Sequence, residues 1–286
     1  MTTRPPIETP IEYGNASSFW VEYPSGLVDL TRTAHLPTDG TTTVTDPPPL
    51  SPGQLDVAVD SQGQRRSVRI NAATSAYVII DMQNYFLHPE IRDHPTGLAC
   101  VGPLARTVAS LRAHGVKILW TNWGLTDAEL ATLPPALVRG FTKGGGGGFG
   151  SEMGGKWGRL LMRGEANAEL YGPLQELYVQ GKAAGTDAWI HKNRMSALWE
   201  DRTDLDSYLK ENGITTLLFA GVNADQCVLG TMVDAYFRGY DVILVSDTTA
   251  TTSPTGGLEN VVHNAGRSYG FLTDSERVNS AVSTKK

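Results

Sequence analysis

Two cysteines among 286 residues, Cys100 and Cys227, are too few for a disulfide framework. Long apolar runs are missing too. Tyr77 to Ile80 stops at Asp81 and Leu217 to Ala220 stops at Gly221, far short of the ~20 residues a membrane-spanning helix needs. Positive charge is scarce and scattered: 24 Lys and Arg face 30 Asp and Glu, for a net charge of −6, and no basic stripe gathers them. Nucleic acid and anionic membrane are therefore excluded as natural partners, and a small-molecule ligand is expected. The opening MTTRPPIETPIEYG has neither a basic nor an apolar signal region, so a cytoplasmic protein is expected.

What is present changes texture near residue 75. Residues 1–74 are rich in Pro, Thr and Gly and lack helical periodicity, which predicts a β-rich extension. Phe19 to Tyr23 and Leu27 to Leu30 flank Pro24-Ser25-Gly26 as a hairpin; Leu55 to Val59 and Ser67 to Ile70 flank a loop from Asp60 to Arg66 with Gly63 at its bend. Isolated hairpins are marginal in water, so these strands must lie against the main domain or a partner subunit. A homo-oligomer, dimer or tetramer, is expected.

Residues 75–286 alternate strands with helices and are read as one domain. Strands are expected at Tyr77 to Ile80, Val116 to Thr121, Ala188 to Lys192, Thr216 to Gly221 and Asp241 to Val245, with a weak edge strand at Gly270 to Leu272. Helices are expected at Val101 to His114, Leu205 to Asn212, after Cys227, and at Pro254 to Tyr269. This alternation predicts a three-layer αβα fold, a doubly wound, mostly parallel sheet of about six strands carrying the N-terminal β-hairpin extension. Ligands of such sheets bind outside the carboxyl ends of the strands, where strand order reverses.

That edge gathers three reactive residues. Asp81 ends the first strand of the domain, Lys192 the third, and Cys227 follows the fourth in the first turn of a helix. Unpaired N–H groups and the helix dipole at such a position favour thiolate, so a lowered Cys227 pKa is expected. Asp81 would take the thiol proton and return it to a leaving amine, with Lys192 orienting the carboxylate. Each has a plainer use alone: buried inert thiol, capping Asp, solvated Lys. Their common edge favours chemistry. His191 and His88 are rival bases, but strand alternation turns His191 away from Lys192.

These residues carry a resemblance. YVIIDMQNYF around Asp81, IHKNRMSALW around Lys192 and AGVNADQCVLGTMVDAYFRGYDVILVSDTTA around Cys227 resemble, in order and over Ala76 to Leu272, the isochorismatase-like cysteine hydrolases, which include nicotinamidases, N-carbamoylsarcosine amidohydrolases and ureidoacrylate amidohydrolases. The resemblance implies an Asp81–Lys192–Cys227 triad, a thioester acyl-enzyme, a cis peptide between Val222 and Asn223, and an oxyanion hole from the N–H groups of Asn223 and Cys227. It implies cleavage of a C–N bond in a small amide, ureide or carbamoyl substrate without a cofactor. Where nicotinamidases have a histidine-containing zinc site, this chain reads Thr121-Asn122-Trp123-Gly124-Leu125, so no metal is expected. Isochorismatases proper, which cleave a vinyl ether, lack the cysteine; an ether hydrolase and a catalytically silent binding protein are the alternatives. Gln83, Phe86, Asn122, Trp123 and Trp157 are candidate substrate contacts. The glycine run Gly144 to Gly150 contains a GxGxxG-like string, yet it follows no strand and is read as a lid or plain loop.

Overall fold

The computed structural model describes residues 5–37, 45–142 and 147–284. Gly144 to Gly146, and with them part of the expected lid or loop, lie outside the described residues. Five strands come first: β1 (Ile11–Gly14), β2 (Phe19–Glu22), β3 (Leu27–Asp29), β4 (Gln54–Ser61) and β5 (Gln64–Asn71). Both expected hairpins are present as the antiparallel pairs β2–β3 and β4–β5. The second turns more tightly than its sequence suggests. Its ladder extends to Ser61 opposite Gln64, leaving Gln62 and Gly63 at the bend with φ of 50° and 78°. Positive φ at both central residues is type I′ geometry, which matches the twist of the strands.

Strands and helices then alternate: β6 (Ser75–Ile80), α1 (Asn84–Leu87), α2 (Pro95–His114), β7 (Lys117–Trp123), α3 (Asp127–Leu130), α4 (Pro135–Phe141), α5 (Pro173–Ala183), β8 (Asp187–Lys192) and α6 (Asp204–Glu211). The second half holds β9 (Thr216–Val222), α7 (Leu229–Phe237), β10 (Asp241–Ala250), α8 (Gly257–Asn264), β11 (Phe271–Thr273), α9 (Ser275–Asn279) and β12 (Val282–Ser283). Helix α2 starts six residues earlier than its periodicity predicts. Its cap is His94, whose ring accepts the Gly97 N–H, and Gly97, Gly102 and Pro103 disguise its first turns as a loop.

Strands β6 to β11 are parallel, in spatial order β11-β10-β9-β6-β7-β8. The chain winds outward from β6 to β8, then returns beyond β6 and winds the other way through β9, β10 and β11. Right-handed crossovers place α2 and α7 on opposite faces, and strand order reverses between β6 and β9. Both strands are buried along their whole length, which accounts for their unbroken apolar character. At this junction a side chain on Gly221 would collide with the Ile80 carbonyl, and its φ of 115° suits glycine alone.

The sheet continues past these six strands. β11, expected as an edge, is covered by antiparallel β4, with Leu272 opposite Asp60; β5, β3, β2 and β1 follow, and β12 also pairs with β4. Twelve described strands thus share one sheet. The sequence misses this because the partner of β11 lies in the N-terminal segment, beyond any local pattern. A buried polar cluster reinforces the seam. Asp241, 1% exposed, accepts from Trp20 Nε1 at 2.6 Å, Arg32 Nη1 at 2.7 Å, Arg32 Nη2 at 2.6 Å and Thr216 Oγ1 at 2.6 Å.

Candidate active site

Asp81 leaves β6 in a left-handed conformation, φ 55°, with its N–H donating to Thr121 O at 3.1 Å. This backbone is rare for a non-glycine residue and costs on the order of 1–3 kcal/mol, so the surrounding structure must hold it. Cys227 reaches the same place from β9. Past Gly221 comes a cis Val222–Asn223 peptide, then a π-helical turn, Ala224–Val228, before α7 begins. Gln226 and Val228 N–H groups both donate to the Asn223 carbonyl, at 3.1 and 3.2 Å.

Lys192 comes from two strands away. In register with Trp123 on β7, its side chain crosses that residue with Nζ 3.7 Å above the indole centre, a cation–π contact. Nζ then lies 3.0 Å from Asp81 Oδ2 and 3.5 Å from Cys227 Sγ, and it donates to Arg194 O at 3.2 Å. Asp81, Lys192 and Cys227 are 0%, 4% and 4% exposed, so their charges interact with little screening.

Burial governs the protons here. It raises the Asp81 pKa, against the opposing pull of the Lys192 ammonium. It also pushes the Cys227 thiol up to about 12, again against Lys192. The thiolate expected from the helix terminus is therefore not the resting form: desolvation of a fully enclosed sulfur outweighs the dipole and the neighbouring ammonium. Lys192 Nζ thus stands between Asp81 Oδ2 and Cys227 Sγ and works against the effect of burial on both.

The other candidates divide. Asn122 is completely buried, and neither its Nδ2 nor its Oδ1 finds a hydrogen-bond partner among the described residues; Trp123 Nε1 is likewise unpartnered. Gln83 has a different role from the substrate contact expected of it. Its Nε2 donates to Trp123 O at 2.7 Å and Ala168 O at 2.6 Å, and its Oε1 accepts from Trp123 N at 3.1 Å, so its amide braces two backbone segments. Phe86 packs edge-on against Tyr85 within the core. Trp157 packs against His88, ring centres 4.7 Å apart.

His191 faces away from Lys192, as strand alternation requires. It accepts from Trp189 Nε1 at 3.2 Å, and burial, aided by the Arg163 charge, brings its pKa down to about 4. Sequence reading missed the wall on the other side of Trp123. Phe141 and Phe149 stack at 4.2 Å and meet the Trp123 ring at 5.6 and 4.9 Å. Phe141 also lines a cavity of about 480 Å³ with Pro134, Leu137, Arg194, Met195 and Gln226, the neighbour of Cys227.

A doubly wound sheet with a thiol, a carboxylate and an ammonium at its switch point defines a class, and comparison with known proteins supplies the family. The isochorismatase domain model matches residues 75–277, so the chain belongs to the isochorismatase family. Among curated proteins it is 29% identical over 227 residues to ureidoacrylate amidohydrolase RutB of Methylobacterium radiotolerans, covering 75% of this chain and 82% of that one. RutB of Methylorubrum extorquens is 26% identical over 251 residues, covering 79% and 90%. Among solved structures, an isochorismatase family protein from Desulfovibrio vulgaris superposes with a TM-score of 0.56 at 26% identity, covering 72% of this chain and 97% of that one. N-carbamoylsarcosine amidase from Thermoplasma acidophilum gives 0.52 at 24%, covering 71% and 97%, a likeness of fold.

Proposed function

We propose that this protein is a metal-independent cysteine amidohydrolase that cleaves a C–N bond of a small amide, ureide or carbamoyl compound. The observation that carries the reading is the position of Lys192 Nζ, 3.0 Å from Asp81 Oδ2 and 3.5 Å from Cys227 Sγ in a buried site at the switch point. The similarity to amidohydrolases named for ureidoacrylate supports the reaction class.

Cys227 Sγ attacks the substrate carbonyl as Asp81 accepts the thiol proton, so the sulfur becomes anionic only while the new S–C bond forms. The N–H groups of Asn223 and Cys227 receive the developing oxyanion. On collapse the C–N bond breaks and Asp81 returns the proton to the leaving nitrogen, leaving a thioester. Asp81 then takes a proton from water, whose oxygen attacks the thioester, and passes that proton to the departing sulfur, which frees the acid and restores the thiol. The Lys192 charge beside it keeps Asp81 from holding the proton too tightly.

Asn122 and the Trp123 indole N–H orient the substrate. An unpartnered buried polar group costs roughly 1–3 kcal/mol, and a substrate offering both a donor and an acceptor restores that. The enzyme is tested on an amide and ureide panel, with ammonia release and the mass of Cys227 followed together. Turnover with an acyl adduct on Cys227, unaffected by prolonged chelation, is expected. Activity lost to a chelator and restored by zinc overturns the metal-free mechanism, and an adduct on Cys100 overturns the assignment of the nucleophile.

A further inference from the structure

His94 lies outside the three reactive groups and outside every sequence motif that points to them, yet it is completely buried. Its ring joins two elements. Nδ1 accepts the Gly97 N–H at 2.9 Å, which caps the twenty-residue helix α2, and Thr96 Oγ1 lies 3.3 Å from the same atom. With Nδ1 an acceptor, the neutral ring carries its proton on Nε2. Burial lowers the His94 pKa and so maintains the neutral form. Nε2 therefore donates to Asn223 Oδ1, 2.8 Å away.

The seat for this ring is built into the chain. A side chain at Gly97 would come 2.6 Å from Leu87 Cδ2 and 2.8 Å from His94 Nδ1, so only glycine leaves the ring room. Asn223 is then held twice: its carbonyl by the Gln226 and Val228 N–H groups, its side chain by His94. Two anchors on one residue restrict rotation about its Cα, and with it the direction of its backbone N–H.

We infer that His94 is a positioning residue that aims the Asn223 N–H at the oxyanion, an inference that rests on the thiol mechanism proposed above. Helix α2 thereby acts as the rigid mount of the oxyanion hole. Misplacement of a catalytic group by an ångström lowers rate by up to roughly 100-fold, so the predicted effect lies in kcat and leaves KM almost alone.

Two substitutions separate the mount from the helix cap. His94→Asn keeps an oxygen that accepts the Gly97 N–H, since Asn is a favoured cap, but cannot reach Asn223. His94→Gln places an amide N–H near the position of Nε2 and gives up the cap. The expected result is a crossed pattern. His94→Asn unfolds close to the parental temperature and loses roughly 10- to 100-fold in kcat; His94→Gln melts lower and recovers most of that kcat. Asn223→Ala should lower kcat similarly, and combined with His94→Asn it should add almost nothing.

A folded His94→Asn enzyme with parental kcat, or additive losses in the double variant, overturns the inference. If His94→Asn does not fold, Asn223→Ala decides alone: it removes the acceptor of the His94 bond, and parental kcat there overturns the role. Failure of the underlying mechanism looks different. In that case the parental enzyme turns over amides without acyl mass on Cys227, whatever the His94 variants do.

Discussion

At the scale of single residues, protonation decides what each group does. Burial raises both thiols, Cys100 and Cys227, to about 12, so near pH 7 each carries far less thiolate than a free cysteine with a pKa of about 8.5. Iodoacetamide should therefore label both slowly at pH 7 in the substrate-free enzyme, and the Cys227 rate should climb steadily as pH rises beyond 9. Fast labelling of Cys227 that is already maximal at pH 7 would contradict the neutral-thiol ground state. Lys192 acts through Asp81. Burial raises that carboxyl and Lys192 opposes the rise, so Lys192→Met should move the acidic limb of the pH–rate profile to higher pH and reduce kcat by more than ~100-fold. An unmoved limb would detach Lys192 from the acid–base step. Methionine retains the stem's packing on Trp123, so the loss is of charge rather than fold.

At the scale of elements, the seam that joins the N-terminal strands to the parallel sheet depends on Asp241. The carboxylate satisfies Arg32, Trp20 and Thr216 together, and the Arg32 side chain is only 12% exposed. Asp241→Ala leaves a guanidinium, an indole N–H and a hydroxyl without their acceptor. Breaking a buried ion pair costs about 3–5 kcal/mol, and a loss of that size in unfolding free energy, read as a lowered denaturant midpoint at unchanged slope, is expected. Arg32→Met with Asp241→Leu should recover part of it, because apolar replacement of both charges removes the desolvation cost. If Asp241→Ala unfolds at the parental midpoint, the seam is held by strand pairing alone.

At the scale of the whole molecule, many groups lean the same way at alkaline pH. Burial raises both thiols and also Tyr23, Tyr77, Tyr208 and Tyr240 above their ordinary values. Such groups hold their protons longer in the native chain than in the unfolded one. Their stability is complete below the unfolded pKa values and falls as pH rises through the window up to the folded ones. Thermal scans should show melting temperature declining from about pH 9 upward, less steeply in Cys100→Ala/Cys227→Ala. A flat alkaline profile would mean that the unfolded chain shelters these groups equally.

Much of the architecture is local and so was open to sequence reading. Apolar runs such as Tyr77 to Ile80 mark strands buried on both faces, Gly115 and Gly213 mark helix ends, and the strand–helix alternation leads to a doubly wound sheet. The same logic placed Asp81, Lys192 and Cys227 on one edge. What stayed hidden was set by contacts between distant segments. β11 became an interior strand only because β4 reached it, and Gln83 became a brace only because Trp123 and Ala168 presented backbone groups to it. The Cys227 thiol reversed its expected shift because desolvation depends on everything packed around it, whereas the helix terminus that favours thiolate is a property of one turn. Sequence alone determined that Asp81, Lys192 and Cys227 share one sheet edge, since strand ends and helix starts are periodic, local features. Tertiary structure decided their protonation and their supports, His94 behind Asn223 among them, because burial and hydrogen-bond pairing arise only when the whole chain closes around a site.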